Sequence, residues 1–106
     1  MVVDKSDSFV HIFSEDGHHL NRFKRQGCYR FPEIAFHQAS ENVVVASAEP
    51  QKERLHIEIY TKDGEFVHST HIHEERIEYL RGITVTLEGS IALVLKEKYN
   101  YKILVE

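Results

Sequence analysis

Apolar residues along this chain come in short runs, each four to six residues long and broken by a brief polar step. "FVHIF" (9–13), "HLNRF" (19–23), "NVVVAS" (42–47), "LHIEIY" (55–60), "SIALVL" (90–95) and "YKILV" (101–105) are the clearest. They are rich in Val, Ile, Phe, Tyr and Thr, the residues that suit a pleated, half-buried surface. No window sustains a 3.6-residue period. "HEERIEYL" (73–80) comes nearest and is too short to hold a helix alone. The runs predict ten strands of four kinds: A (Ile34–His37, Ile83–Thr86), B (Val2–Val3, Val43–Ser47, Ile91–Leu95), C (Phe9–Phe13, Leu55–Tyr60, Tyr101–Val105) and D (His19–Phe23, Phe66–Thr70). Asp16-Gly17 and Asp63-Gly64 read as hairpin turns, because both residue types tolerate positive φ. "ASEN" (39–42) and "LEGS" (87–90) supply two more.

The order of the runs repeats. "HIFSEDGHHL" (11–20) is echoed by "EIYTKDGEFV" (58–67), an offset of 47 residues, and the strands on either side follow suit while the loops vary. Four-stranded sheets recurring every 40–50 residues are the signature of a β-propeller. The chain then runs B-C-D, A-B-C-D, A-B-C. It is an all-β protein of about two and a third four-stranded antiparallel blades. Residues 1–30 end one blade, 31–77 make a full blade and 78–106 an incomplete one.

The stretch "FPEIAFHQASENVVVAS…LHIEIYTKDGEFV" resembles an NHL repeat. Pro32, Ile34, Ala35, Asn42, Val45, Ala46, Ile57, Ile59, Tyr60, Asp63 and Gly64 fit that family's loose pattern, and Arg81, Gly82, Ile83 and Gly89 fit it again in the second copy. Glu33 stands where the family prefers Gly. Ser47 and Leu95 stand where it prefers Asp, kept only as Asp4. The resemblance implies a fragment of a larger, six-bladed ring. It further implies a role like that of the propeller closing tripartite-motif proteins. There the propeller recognises RNA or protein targets for a ubiquitin ligase or a post-transcriptional regulator, while a RING finger lies upstream.

Composition narrows the classes. A chain of 106 residues with 42% hydrophobic and 28% charged residues suits one globular domain. No apolar stretch approaches the roughly 20 residues that span a bilayer, and "MVVDKSDS" has no signal-peptide pattern. Cys28 is alone, which excludes an internal disulfide framework and points to a reducing, cytoplasmic setting. The net charge of −4 argues against binding nucleic acid through bulk charge.

Blade topology sorts what remains. The A–B and C–D turns share one end and are acidic: Glu15, Asp16, Glu41, Asp63, Glu65 and Glu88, against Lys62. The B–C loops and D–A crossings share the other end and hold most cations, with acids interleaved. There "NRFKRQGCYRF" (21–31) combines Arg22, Lys24, Arg25 and Arg30 with Tyr29, and "KEKYNY" (96–101) adds Lys96, Lys98 and Tyr99. Cations beside aromatics suit single-stranded RNA, whose phosphates need neutralising and whose bases stack. These eight residues are the candidate RNA- or protein-binding set. The same letters also suit a plainer role, with Phe23 and Phe31 as strand-end core and the cations as solvated loop charge. A protein–protein scaffold using the same face is the alternative. A propeller enzyme with histidine-bound zinc, drawing on His71, His73, His18 and His19, is a further one, although no ligand spacing supports it. No nucleophile with a base partner is indicated, Cys28 included. The expectation is a non-catalytic module without cofactor or metal. Its partners are RNA or protein and the remaining blades, with no membrane, and exposed blade edges leave the fragment prone to self-association.

Overall fold

The computed structural model describes residues 2–3, 9–27, 30–75 and 77–105, with the backbone alone described at 2, 3, 30 and 31. Asp4, Lys5, Cys28, Tyr29 and Arg76 lie outside the described residues. Ten strands run through them with no α-helix: β1 (Val2–Val3), β2 (Phe9–Phe13), β3 (His19–Lys24), β4 (Arg30–His37), β5 (Asn42–Glu49), β6 (Arg54–Thr61), β7 (Phe66–His73), β8 (Tyr79–Val85), β9 (Ile91–Lys96) and β10 (Tyr101–Val105). One turn of 3-10 helix, Pro50–Lys52, joins β5 to β6. In "HEERIEYL", His73 ends β7, and Tyr79 and Leu80 start β8.

The turns explain the repeat locally. At the first Asp-Gly, the Gly17 N–H donates to the Ser14 carbonyl (3.0 Å) and the Ser14 N–H to the His18 carbonyl (2.8 Å). Thr61–Glu65 and Thr86–Ser90 repeat the pattern within 0.1 Å. Each is a tight turn followed by a glycine in the left-handed region: Gly17 at φ 90°, Gly64 at 92° and Gly89 at 93°. This is the three-residue hairpin loop with a bulge, in which the glycine alone of each Asp-Gly pair takes positive φ. The fourth turn reaches the same region with Glu41 at φ 58°. Gly64 is demanded twice over, since a Cβ there would meet the Cβ of Phe23 at 2.7 Å.

The strands pair into three antiparallel sheets, ordered β1-β2-β3, β4-β5-β6-β7 and β8-β9-β10. The second sheet lies between the other two, and its alternation divides its residues between them. Opposite pairs Val44–Ile59, Ala46–Ile57 and Ala48–Leu55 face one way. They pack against Ile77, Leu80, Leu93 and Leu95 of the third sheet and the connection leading to it. Val43 and Val45 face the other way with Tyr60 and meet Val10 and Phe23 of the first sheet. A strand buried on both faces reads as a continuous apolar run rather than an alternation, which is why "NVVVASA" contains so little polarity. The sheets are not parallel plates. Contact between the second and third is closest along β4 and β8, and contact between the first and second includes β1 with β4; among the described residues no comparable contact joins β3 with β7 or β7 with β10, although Phe23 of β3 packs beside Tyr60 and Gly64. The stack fans open away from β4 and β8.

The hydrophobic repeat predicts Ile34, Val45, Ile57, Ile59, Ile83, Leu93 and Ile103 as core; Val45, Ile57 and Leu93 are buried, and Ile34, Ile59 and Ile83 are half-buried against it. Ile103 is a correction: it is 70% exposed. On β10 the alternation turns Leu104 inward and Tyr101, Ile103 and Val105 outward, and no described residue covers that outer face.

Candidate binding surface

The antiparallel order sends every B–C loop and D–A connection to one end of the stack. That end gathers residues 24–27, 30, 49–54, 73–75, 77–79 and 96–101. The candidate residues do not stand there as one group. β3 extends one residue past the expected strand, so Lys24 joins Arg22 as a strand residue. With Phe9 opposite Lys24 and His11 opposite Arg22, they share the outer face of the first sheet. The Arg22 guanidinium lies 4.6 Å from the Phe9 ring centroid, and Lys24 is exposed. Arg30 opens β4. Tyr29 falls outside the described residues.

Arg25 is the main departure from the expected solvated cluster. It is 4% exposed. The segment it opens is strapped across the second sheet: the Gln26 N–H donates to Tyr60 Oη (2.6 Å) and the Gly27 N–H to Glu58 Oε2 (2.9 Å). Tyr60 Oη in turn donates to Glu58 Oε2 (3.0 Å). Burial pushes the Tyr60 phenol well above its ordinary pKa, and the neighbouring Glu58 carboxylate raises it further. Glu58 is itself buried, so this connection is an anchored crossing that takes both Arg25 and Glu58 out of water, each of them acting on the Tyr60 phenol. Among the described residues, Arg25 Nε and Nη1 and Glu58 Oε1 have no hydrogen-bond partner. Sequence reasoning passed over Glu58. Its signal is a carboxylate inside the apolar strand "LHIEIY", on the face it shares with Tyr60.

The second candidate segment is tied to the third sheet. Lys96 Nζ donates to the carbonyls of Glu97 (2.5 Å) and Lys98 (3.4 Å), and it sits 5.2 Å from the Tyr101 ring centroid. Its charge therefore closes its own loop. The Glu97 N–H to Asn100 carbonyl bond (2.9 Å) and the Glu78 N–H to Lys96 carbonyl bond (2.8 Å) fix the loop against the β7–β8 connection. Between them opens a cleft of about 540 Å³, lined by Ile77, Glu78, Glu97, Lys98, Tyr99 and Asn100. Tyr99 stands at it 84% exposed, with Lys98 Nζ 5.3 Å from its ring centroid.

The other charges of this end are largely matched. Glu49 takes both His56 (3.0 Å) and Lys52 (3.6 Å), and Lys102 pairs with Glu74. His73 Nε2 lies 3.8 Å from carboxylate oxygens of Glu53 and Glu75. The end is a mixed, internally paired surface rather than a cationic one. The histidines are dispersed. His11 Nδ1 lies 3.3 Å from His19 Nε2, and His18 pairs with Asp16 at the opposite end. His37 reaches Ser40 Oγ (2.6 Å) and the Leu87 carbonyl (3.1 Å). His71 lies opposite His56, with ring centroids 6.2 Å apart. Among the described residues, the one group able to share a metal is Glu53, His73 and Glu75, all exposed. It is not the three-histidine arrangement that a zinc hydrolase would use.

No helix is long and apolar enough to cross a membrane. No protein-family model matches the chain, and no curated protein matches it.

Proposed function

We infer that this chain is a non-catalytic recognition module, three consecutive blades of a propeller-like stack, and that its loop end takes a segment of a protein partner. The exposed Tyr99 beside a cleft with two carboxylates, Glu78 and Glu97, carries this reading. An aromatic ring, two carboxylates against the single cation of Lys98, and the apolar Ile77 match an extended peptide that presents Lys or Arg next to an apolar side chain. The cation meets the carboxylates and the ring, and the apolar group meets the floor. The fanned sheets and the recurrent turns support the blade reading, and the NHL-repeat resemblance agrees with a module that recognises targets for a tripartite-motif ligase or a similar regulator.

Single-stranded RNA is the second reading. It is favoured by Arg22 and Lys24 beside Phe9 on the first sheet. It is weakened by the burial of Arg25 and by Lys96, whose ammonium already binds two loop carbonyls. Anisotropy titrations with basic-apolar peptides and with a single-stranded RNA oligomer at two salt concentrations separate the readings. Peptide binding that falls at least tenfold in Tyr99→Ala and in Glu78→Gln with Glu97→Gln is expected. RNA binding that weakens steeply with salt and with Lys24→Glu, while Tyr99→Ala leaves it unchanged, would replace the peptide reading.

A further inference from the structure

The two outer faces of the stack are counterparts of faces that are covered inside it. The register of β9 with β10 repeats that of β5 with β6: Val94 lies opposite Ile103 as Ala46 lies opposite Ile57, and Leu93 lies opposite Leu104 as Val45 lies opposite Glu58. Tyr101, Ile103 and Val105 therefore hold the places of Leu55, Ile57 and Ile59. Leu55 and Ile57 are 0% and 2% exposed beneath the third sheet, whereas Tyr101, Ile103 and Val105 are 58%, 70% and 65% exposed. The first sheet shows the complementary case. Its strands β2 and β3 carry the same bulge before the turn as β6 and β7, with Phe13 opposite His19 as Tyr60 is opposite Phe66. Phe13 and His11 hold the places of Tyr60 and Glu58, the face of the second sheet that receives the first. Phe13 and His19 point outward there with their ring centroids 5.2 Å apart.

We propose that two copies of this chain pack head to tail, the outer face of the third sheet of each (Tyr101, Ile103, Val105) covering the outer face of the first sheet of the other (Phe13, His19). The pairing continues an interface that the chain already makes twice, between the far face of one sheet and the near face of the next. Each copy carries one face of each kind, so a second copy offers to each the kind of surface that its counterpart meets inside the stack. Such a heterologous contact closes into a ring only if the rotation per unit returns to its start. Both contacts between sheets involve β4, with β8 on one side and β1 on the other, and closure requires the same turn to recur at each further contact. With three sheets in each chain, a closed pair would hold six sheets. The inference rests on the stacked-blade reading but not on the peptide cleft, whose residues lie outside these faces.

The test is the mass of the full chain in solution, by sedimentation velocity or light scattering at tens of micromolar. A dimer of discrete mass is expected. Ile103→Asp alone and Phe13→Asp alone change side chains that are already exposed, so circular dichroism should keep the strand signal. Each should weaken self-association more than tenfold. Mixing the two variants leaves one intact pair of faces and should restore a one-interface dimer, which a face pairing with its own copy could not do. A monomeric parent overturns the proposal. So do a parent that grows into filaments, a Phe13→Asp variant that dimerises like the parent, and a mixture that stays monomeric. Peptide binding at Tyr99, measured on the Ile103→Asp variant, reports on the function reading separately.

Discussion

Ile57 and Ile103 occupy the same place in two copies of the same strand, yet one is buried and the other open to solvent. Their side chains are identical, so the difference in their worth is set by what covers them. Ile57→Ala should destabilise the chain by about 2–5 kcal/mol, through lost burial and the cavity left behind. Ile103→Ala should change the stability of a dilute monomer by less than about 0.5 kcal/mol. Denaturant titrations of both, under conditions where the parent is monomeric, check the contrast; equal losses would mean that the outer face of β10 is covered within one chain. Glu41 offers a second comparison. It holds φ at 58° where the three companion turns use glycine. A non-glycine residue there is strained by roughly 1–2 kcal/mol, and the exposed Lys62–Glu41 pair contributes little in return. Glu41→Gly should leave the melting temperature unchanged or raise it, since the gain offsets the entropy lost by the more flexible chain. A clear fall would show that the Lys62 contact matters more than the backbone does.

At the scale of elements, the strands and their grouping were legible because two periodic signals coincide: alternation along each run, and a turn at a fixed place after it. The register at Ile12/Phe13 recurs at Ile59/Tyr60 for the same reason. The connections were less legible. "NRFKRQG" carries three cations and reads as a solvated loop, but Arg25 is covered by a strand more than 30 positions away, through Glu58 and Tyr60. Composition of a segment says nothing about such a cover, and a single carboxylate inside a strand does not say which loop it holds. Glu58→Ala should therefore cost more than a surface change. It removes the buried acceptor of Gly27 and Tyr60, a loss on the order of 1–3 kcal/mol. Arg25→Ala with Glu58→Ala should lose less than the sum of the single changes, a coupling that a double-mutant cycle reads directly. Additive losses would mean that the two groups do not sense one another. The candidate binding residues split along the same line. Tyr99 and Lys98 stand out of the surface, as their polar loop suggests, while Lys96 bends back onto carbonyls that no pattern of letters reveals.

On the scale of the whole molecule, the sheets are separate units in sequence, each closed by hairpins between neighbouring strands, and only the second is packed on both sides. Space here translates into time. Hairpins form from nearby residues and need little loop closure, whereas stacking asks distant segments to meet. At dilutions where the chain is monomeric, the outer sheets have one covered face to lose and the central sheet has two, so opening should begin at the flanks and reach β5 and β6 last. Backbone amides of Val43–Ala48 and Leu55–Ile59 should exchange with deuterium most slowly, close to the rate set by global unfolding. Those of β2, β3 and β10 should exchange orders of magnitude faster. An even rate across all three sheets would make the chain a single cooperative unit. A graded one would make it a row of neighbours, in which the tightness of each depends on how many sides are occupied.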